Sequence, residues 1–144
     1  MPVIILASDS AAVRREVAAT IAREAFEIIE VSSGPAAVAA AKEHEAELVI
    51  SDLQMSNMGG MAVTLELRLE ASYDQMLATP VLLLLDRRAD VLLARRSGAE
   101  GFVIKPLDPL RLRRAVDALL DGGTYEDTSF QPAPVLVAES LKGA

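Results

Sequence analysis

The chain has 144 residues, 51% of them hydrophobic, and a formal net charge of −7. That length suits one ordinary domain with a sizeable core and would cramp two, and the apolar fraction argues against general disorder. With no cysteine and a single histidine, His44, a disulfide framework, a thiol nucleophile, a zinc–thiolate site, a His triad and a His-based metal cluster are all excluded.

The predicted elements alternate. Residues 3–6 (Val-Ile-Ile-Leu) form a short apolar run that suits a strand covered on both faces. Ser8-Asp9-Ser10 offers N-cap chemistry for a helix over 11–25, with Val13, Val17 and Ile21 at helical spacing. A second strand is expected over 28–31. The turn Ser32-Ser33-Gly34-Pro35 then leads into an Ala-rich helix over 36–44, and residues 48–51 form the third strand. Gly59-Gly60 precedes a helix over 61–71, and residues 72–79 read as a loop. Pro80 introduces the fourth strand, 81–85. A helix over 89–97 is closed by Gly98, and 101–104 is the fifth strand. Asp108-Pro109 opens a last helix that runs to about Asp121, where Gly122-Gly123 ends it.

Five strand–helix repeats predict a doubly wound α/β fold, flavodoxin-like, with a parallel sheet in the order 2-1-3-4-5. The expected domain is residues 1–121. Residues 122–144 are expected to be a C-terminal tail, flexible or docking on an edge strand or a partner, with one apolar patch at Val135-Leu136-Val137. Five aromatic residues without a Trp disfavour a base-stacking nucleic-acid module, and no apolar run approaches the roughly 18 residues of a membrane span. Residues 1–6 are too short for a signal-peptide core. The expectation is a soluble, cytoplasmic protein with no membrane contact and no direct nucleic-acid partner.

In such sheets the site lies at the carboxyl ends of the strands. Asp9, Asp52 and Lys105 fall there, after strands 1, 3 and 5. Two carboxylates across the switch point suit a hard divalent cation such as Mg²⁺, and a lysine beside them suits a carboxylate or a phosphoryl group. Spacing alone leaves open whether these are functional groups or loop and cap carboxylates.

Three segments carry a resemblance: Ile4-Ile5-Leu6-Ala7-Ser8-Asp9-Ser10, residues 48–60 around Ser51-Asp52, and Ser97-Gly98-Ala99-Glu100-Gly101-Phe102-Val103-Ile104-Lys105-Pro106. Over residues 1 to about 121 the chain resembles the CheY-like receiver domain of two-component response regulators. The resemblance implies a stand-alone module of phosphorelay signalling. Asp52 would be the phosphoacceptor, a carboxylate nucleophile toward a phosphohistidine or a small phosphodonor. Mg²⁺ would be held by Asp9, Asp52 and the backbone carbonyl of Gln54, Lys105 would contact the phosphoryl group, and Lys105-Pro106 would be a cis peptide. Phe102 stands at the aromatic switch position, its alternative being a plain core residue. The implied partners are a sensor histidine kinase or phosphotransfer protein and a downstream protein. No enzyme activity is expected beyond self-phosphorylation and autodephosphorylation at Asp52.

The chain also departs from the family pattern. Ser8 stands where receivers carry a first acid, which weakens the expected metal site. Leu85 replaces the Thr or Ser that ends strand 4, and a carboxylate, Asp86, occupies the next, normally small position. There it would repel a phosphoryl group or stand in as a metal ligand. Ser56 replaces a common Pro, and Gly59 a common Asp. A degenerate site of this kind keeps a second reading open, a pseudo-receiver that signals by phosphorylation-independent binding. A small flavodoxin-like enzyme or nucleotide-binding domain is a remote third, disfavoured because residues 7–11 contain no glycine for a phosphate loop.

Charge is uneven. Between Arg87 and Arg114, eight cations (Lys105 with Arg87, Arg88, Arg95, Arg96, Arg111, Arg113 and Arg114) face three acids, net +5, leaving −12 on the rest. These arginines are expected to form either a solvated face or an interaction face on helix 4, strand 5 and helix 5, used for a homodimer or a protein partner. His44, among Glu43, Glu45 and Glu47, is expected to be a surface residue.

Overall fold

A computed structural model describes residues 2–74 and 78–130. Its strands are β1 (Val3–Ala7), β2 (Glu27–Val31), β3 (Leu48–Asp52), β4 (Val81–Leu85), β5 (Gly101–Ile104) and β6 (Tyr125–Glu126). Its helices are α1 (Ala11–Ile21), α2 (Gly34–Glu43), α3 (Gly60–Asp74), α4 (Val91–Ser97) and α5 (Pro109–Leu120). The sheet is parallel throughout, in the order β2-β1-β3-β4-β5-β6. The expected doubly wound α/β fold and its 2-1-3-4-5 order are present, with β6 added beyond β5. None of the described helices is long and apolar enough to cross a membrane.

Strand alternation builds two cores. Ile5, Ala7, Val49, Leu83, Leu85, Phe102 and Ile104 pack beneath α2, α3 and α4. Ile4, Leu6, Leu48, Ile50, Leu82, Leu84 and Val103 pack beneath α1 and α5. Every residue of β3 and β4 is buried, as a parallel sheet covered on both faces requires. The helix starts follow their caps. Ser10 accepts from the Val13 N–H, Ser33 from the Ala36 N–H, and Asp108 from the Leu110 and Arg111 N–H groups. Gly98 closes α4 with φ 79°, a left-handed conformation that glycine adopts without a Cβ clash.

Three boundaries differ from expectation for tertiary reasons. α1 stops at Ile21 rather than Ala25, because Ala22 turns extended and Arg23 reaches across to Asp117 of α5 at 2.8 Å while lying 5.1 Å above the Phe26 ring. The helix expected over 89–97 begins as a 3₁₀ turn, Arg88–Asp90, which buries Asp90 before α4 starts at Val91. The helix expected over 61–71 is longer, Gly60–Asp74. The tail expected from residue 122 contributes β6 within the described residues; the patch Val135-Leu136-Val137 lies outside them.

Gly60 ties this framework to the strand ends. Its N–H donates to the Leu53 carbonyl at 2.9 Å, and a Cβ added there would meet the Asp52 carbonyl and Leu83 Cδ2, each at 2.6 Å. The nearest obstacle is backbone, so Gly60→Ala must displace the end of β3. We expect a loss of about 1–3 kcal/mol in urea unfolding, the range for overpacking a tight core; an unchanged midpoint would show that this close approach carries no constraint.

Candidate functional site

The sheet register brings two of the three expected strand-end residues, Asp52 and Lys105, into contact, while Asp9 turns to Ser56. Asp52 is the last residue of β3 rather than the first beyond it, and it pairs with Leu84 of β4. Asp9 follows β1 by two residues, and Lys105 directly follows β5. Lys105 Nζ lies 2.6 Å from Asp52 Oδ1 and 2.9 Å from Asp86 Oδ1. The first contact is an ion pair that misses well-aligned hydrogen-bond angles; the second is a hydrogen bond. The peptide Lys105–Pro106 is cis, as expected.

Asp52 is 4% exposed, and a carboxylate so far from water needs partners. It has two. Lys105 faces Oδ1, and the buried Ser8 hydroxyl donates to Oδ2 while accepting the Ser10 N–H at 3.0 Å. Burial would lower the pKa of the Lys105 ammonium, but its close interactions with Asp52 and Asp86 outweigh that and hold it above the ordinary lysine range.

Other residues fall around this centre. Asp9 is exposed, and its Oδ2 accepts from the Ser56 N–H at 3.1 Å and the Ser56 hydroxyl at 3.4 Å. Gln54 is exposed in the β3–α3 connection. Leu85 is fully buried and brings no hydrogen-bonding group to the site, whereas Asp86 is half exposed and turned onto Lys105. Phe102 is 3% exposed and packs in the core beneath α2, α3 and α4. Ser8, expected only to weaken a metal site, is a partner of Asp52, and Ser56, to which the sequence assigns no role, holds Asp9. That Ser8 sits two residues before an N-cap, across the switch point from Asp52, was the one available signal of its contact.

The donor set for a divalent cation is small. Among the described residues no group of three His, Cys, Asp or Glu side chains is placed to hold a metal. The carboxylates of Asp9 and Asp52 and the main-chain carbonyl of Gln54 remain, hard oxygen donors of the kind Mg²⁺ takes. Ser8 and Lys105 compete for the Asp52 oxygens, so the fit is to a weak site.

The arginines between Arg87 and Arg114 do not form one free face. Arg87 pairs with Asp90 at 3.5 Å, and Arg95 pairs with Glu126 of β6 at 2.7 Å. Arg113 points back across the helices and donates to the Thr20 carbonyl of α1 at 3.0 Å. Arg88, Arg96, Arg111 and Arg114 lie in exposed positions. His44 is 39% exposed at its side chain, 3.9 Å from Glu43.

Lys105→Met tests the pairing through pH. A folded-state pKa raised above the unfolded value of about 10.4 means a stabilising contribution that is whole below that value and is lost as pH climbs through the folded pKa. We expect Lys105→Met to unfold at lower urea than wild type at pH 7–9, and the gap to close in more alkaline solution. A gap independent of pH would contradict the assignment.

The response regulator receiver domain model matches residues 4–117. Protein PilH of Pseudomonas aeruginosa is 25% identical over 121 residues, covering 83% of this chain and 98% of PilH. The transcriptional regulatory protein AfsQ1 of Streptomyces coelicolor is 27% identical over 130 residues, covering 89% of this chain and 55% of AfsQ1, so the chain spans about half of that relative. Among solved structures, chemotaxis protein CheY4 of Vibrio cholerae superposes with a TM-score of 0.71 at 25% identity, covering 83% of this chain and 98% of that one. A LuxR-family response regulator from Aurantimonas superposes with a TM-score of 0.77 at 24% identity, covering 96% and 97% of the two chains, which speaks for the fold alone.

Proposed function

The chain belongs to the response regulator receiver domain family, and we propose that it is a signalling module whose Asp52 accepts a phosphoryl group from a sensor histidine kinase, a phosphotransfer protein or a small phosphodonor. The observation that carries this reading is the Asp52–Lys105 pair at 2.6 Å, at the carboxyl edge of the sheet beside its switch point.

In the proposed step an Asp52 carboxylate oxygen attacks phosphorus. The new P–O bond forms as the P–N bond to the donor imidazole, or the P–O bond of an acyl phosphate, breaks, and the donor leaves with the electron pair. Lys105 leaves its partner oxygen to meet the phosphoryl oxygens, offsetting their charge. Receiver domains typically bind Mg²⁺ at an acidic pocket; here Asp9, Asp52 and the Gln54 carbonyl would hold it, and when bound it supplies charge neutralisation for the transferring group. The output is protein–protein contact with a downstream partner, and the family as a whole signals rather than catalyses.

A second reading, phosphorylation-independent binding, is favoured by a specific pair of contacts. The Ser8 hydroxyl already occupies one Asp52 oxygen, and Asp86 already supplies Lys105 with a second anion where a phosphoryl oxygen would otherwise do so. Leu85 adds to this reading by removing the strand-end hydroxyl.

Acetyl phosphate with Mg²⁺, read by intact mass, separates the two. We expect wild type to gain the mass of one phosphoryl group, slowly, and Asp52→Asn to gain none. Failure of wild type to label under conditions that label an ordinary receiver would leave the second reading standing. Labelling that survives in Asp52→Asn would reject Asp52 as the acceptor.

A further inference from the structure

The Ala-rich pattern of α2 leaves room where the C-terminal end of that helix meets the C-terminal end of α3. The side chains there are small, Ala41 and Ala46 on the α2 side and Ala71 on the α3 side. Together with Leu67 and Pro80 they border a hollow of about 480 Å³, a size within the range of small-molecule sites. Ala46 lies two residues before β3 and Pro80 directly before β4. The hollow is therefore at the amino ends of the strands, whereas Asp52 and Lys105 stand at the carboxyl ends.

Three charged side chains also line it: Lys42, Glu45 and Glu70. Lys42 Nζ donates to Glu70 Oε1 from one helix to the other at 3.2 Å. Glu70 Oε2 is buried and has no hydrogen-bond partner among the described residues. A buried carboxylate oxygen without a donor is costly, and native structures rarely leave one so. Glu45 is placed by the way α2 ends. The Ala46 N–H donates to the Ala41 carbonyl at 2.9 Å and the Glu45 N–H to the Lys42 carbonyl at 3.3 Å, a pair of bonds that closes a helix through a left-handed residue. That residue is Glu45, with φ 48°, at a position where glycine is the usual choice. The chain gives up backbone ease there and gains a carboxylate at the hollow. Two carboxylates against one ammonium leave the charged lining net negative.

We propose that this hollow is a binding site for a small organic cation, an ammonium group on a compact apolar body. The ammonium pairs with Glu70, whose Oε2 lacks a donor, and with Glu45. The apolar body replaces water against the alanines, Leu67 and Pro80. Charge selects the class of ligand: an anion of the same shape would meet two carboxylates, and the one cation of the lining, Lys42, is already engaged by Glu70. The proposal does not depend on phosphorylation of Asp52.

The test is a ¹H–¹⁵N NMR titration of the full chain with 2-phenylethylammonium at fixed ionic strength, beside 2-phenylethanol and 3-phenylpropionate as neutral and anionic probes. The ammonium is expected to shift amides within residues 41–46, 67–71 and 78–79 in a saturable way, with half-saturation near about 1 mM, a modest affinity for a ligand of its size. The other two probes are expected to bind at least about tenfold more weakly, and Glu70→Gln to weaken the ammonium by about tenfold or more. Ala71→Leu fills the hollow and keeps all three charges. It is expected to abolish the shifts while the rest of the spectrum stays as in wild type, and it keeps the test decisive if Glu70→Gln does not fold. Any of four results overturns the proposal: no saturable shift at those residues by roughly 20 mM ammonium, equal binding of the three probes, preference for the anion, or binding that is unchanged in Glu70→Gln or in Ala71→Leu.

Discussion

A negative charge stands at the end of a strand in which every residue is buried, and the rest of the site follows from the need to satisfy it. Removing a carboxylate from water is unfavourable unless charge and hydrogen bonds replace the lost solvation. Asp52 obtains these from β1 through Ser8 and from β5 through Lys105. Both donors depend on strand order: β1 lies directly beside β3, while β5 is reached across β4. A slip of one residue in any of these strands would turn the core side chains to the wrong face and break the site together with the packing. The same apolar runs that make the sheet thus place the chemistry.

Lys105 is where the receiver pattern and its exceptions meet. In this chain the ammonium is shared between a buried carboxylate and a half-exposed one. A phosphoryl group arriving at Asp52 would find Lys105 already engaged by Asp86 and would meet the negative charge of Asp86 as well. Both effects work against phosphoryl occupancy. The fully buried Leu85 offers no hydroxyl to report on that occupancy. Lys105 directly follows β5, whose outer edge Asp127 holds through the Ile104 N–H.

Much of the fold was legible because its signals are local. The apolar runs 3–6, 48–51 and 81–85, the caps Ser10 and Asp108, the helix-start proline Pro35 and the closing Gly98 each act through neighbours in sequence. The end of α1 was not legible, since Ala22-Arg23-Glu24-Ala25 has good helix propensity and is overruled by the reach of Arg23 to Asp117, 94 residues away. The two-residue strand β6 leaves no periodicity to read, and its register is set by the β5 edge and by Asp127. In the site, residue types announced Asp9, Asp52 and Lys105. The direction in which Asp86 turns, and the pairing of Ser8 with Asp52, depend on strand neighbours far away in sequence. The arginines taught the same lesson: composition gave a basic stretch, but Arg113 points to α1 and Arg95 to β6.

The most direct measurement of the Asp52–Lys105–Asp86 arrangement is ¹⁹F NMR of the protein titrated with beryllium fluoride, a tetrahedral stand-in for a phosphoryl group, in the presence of Mg²⁺. The account predicts a bound fluoride signal that is absent in Asp52→Asn and saturates at lower beryllium fluoride concentration in Asp86→Ala. A bound signal that persists without the Asp52 carboxylate, or one that weakens when Asp86 is removed, would contradict it.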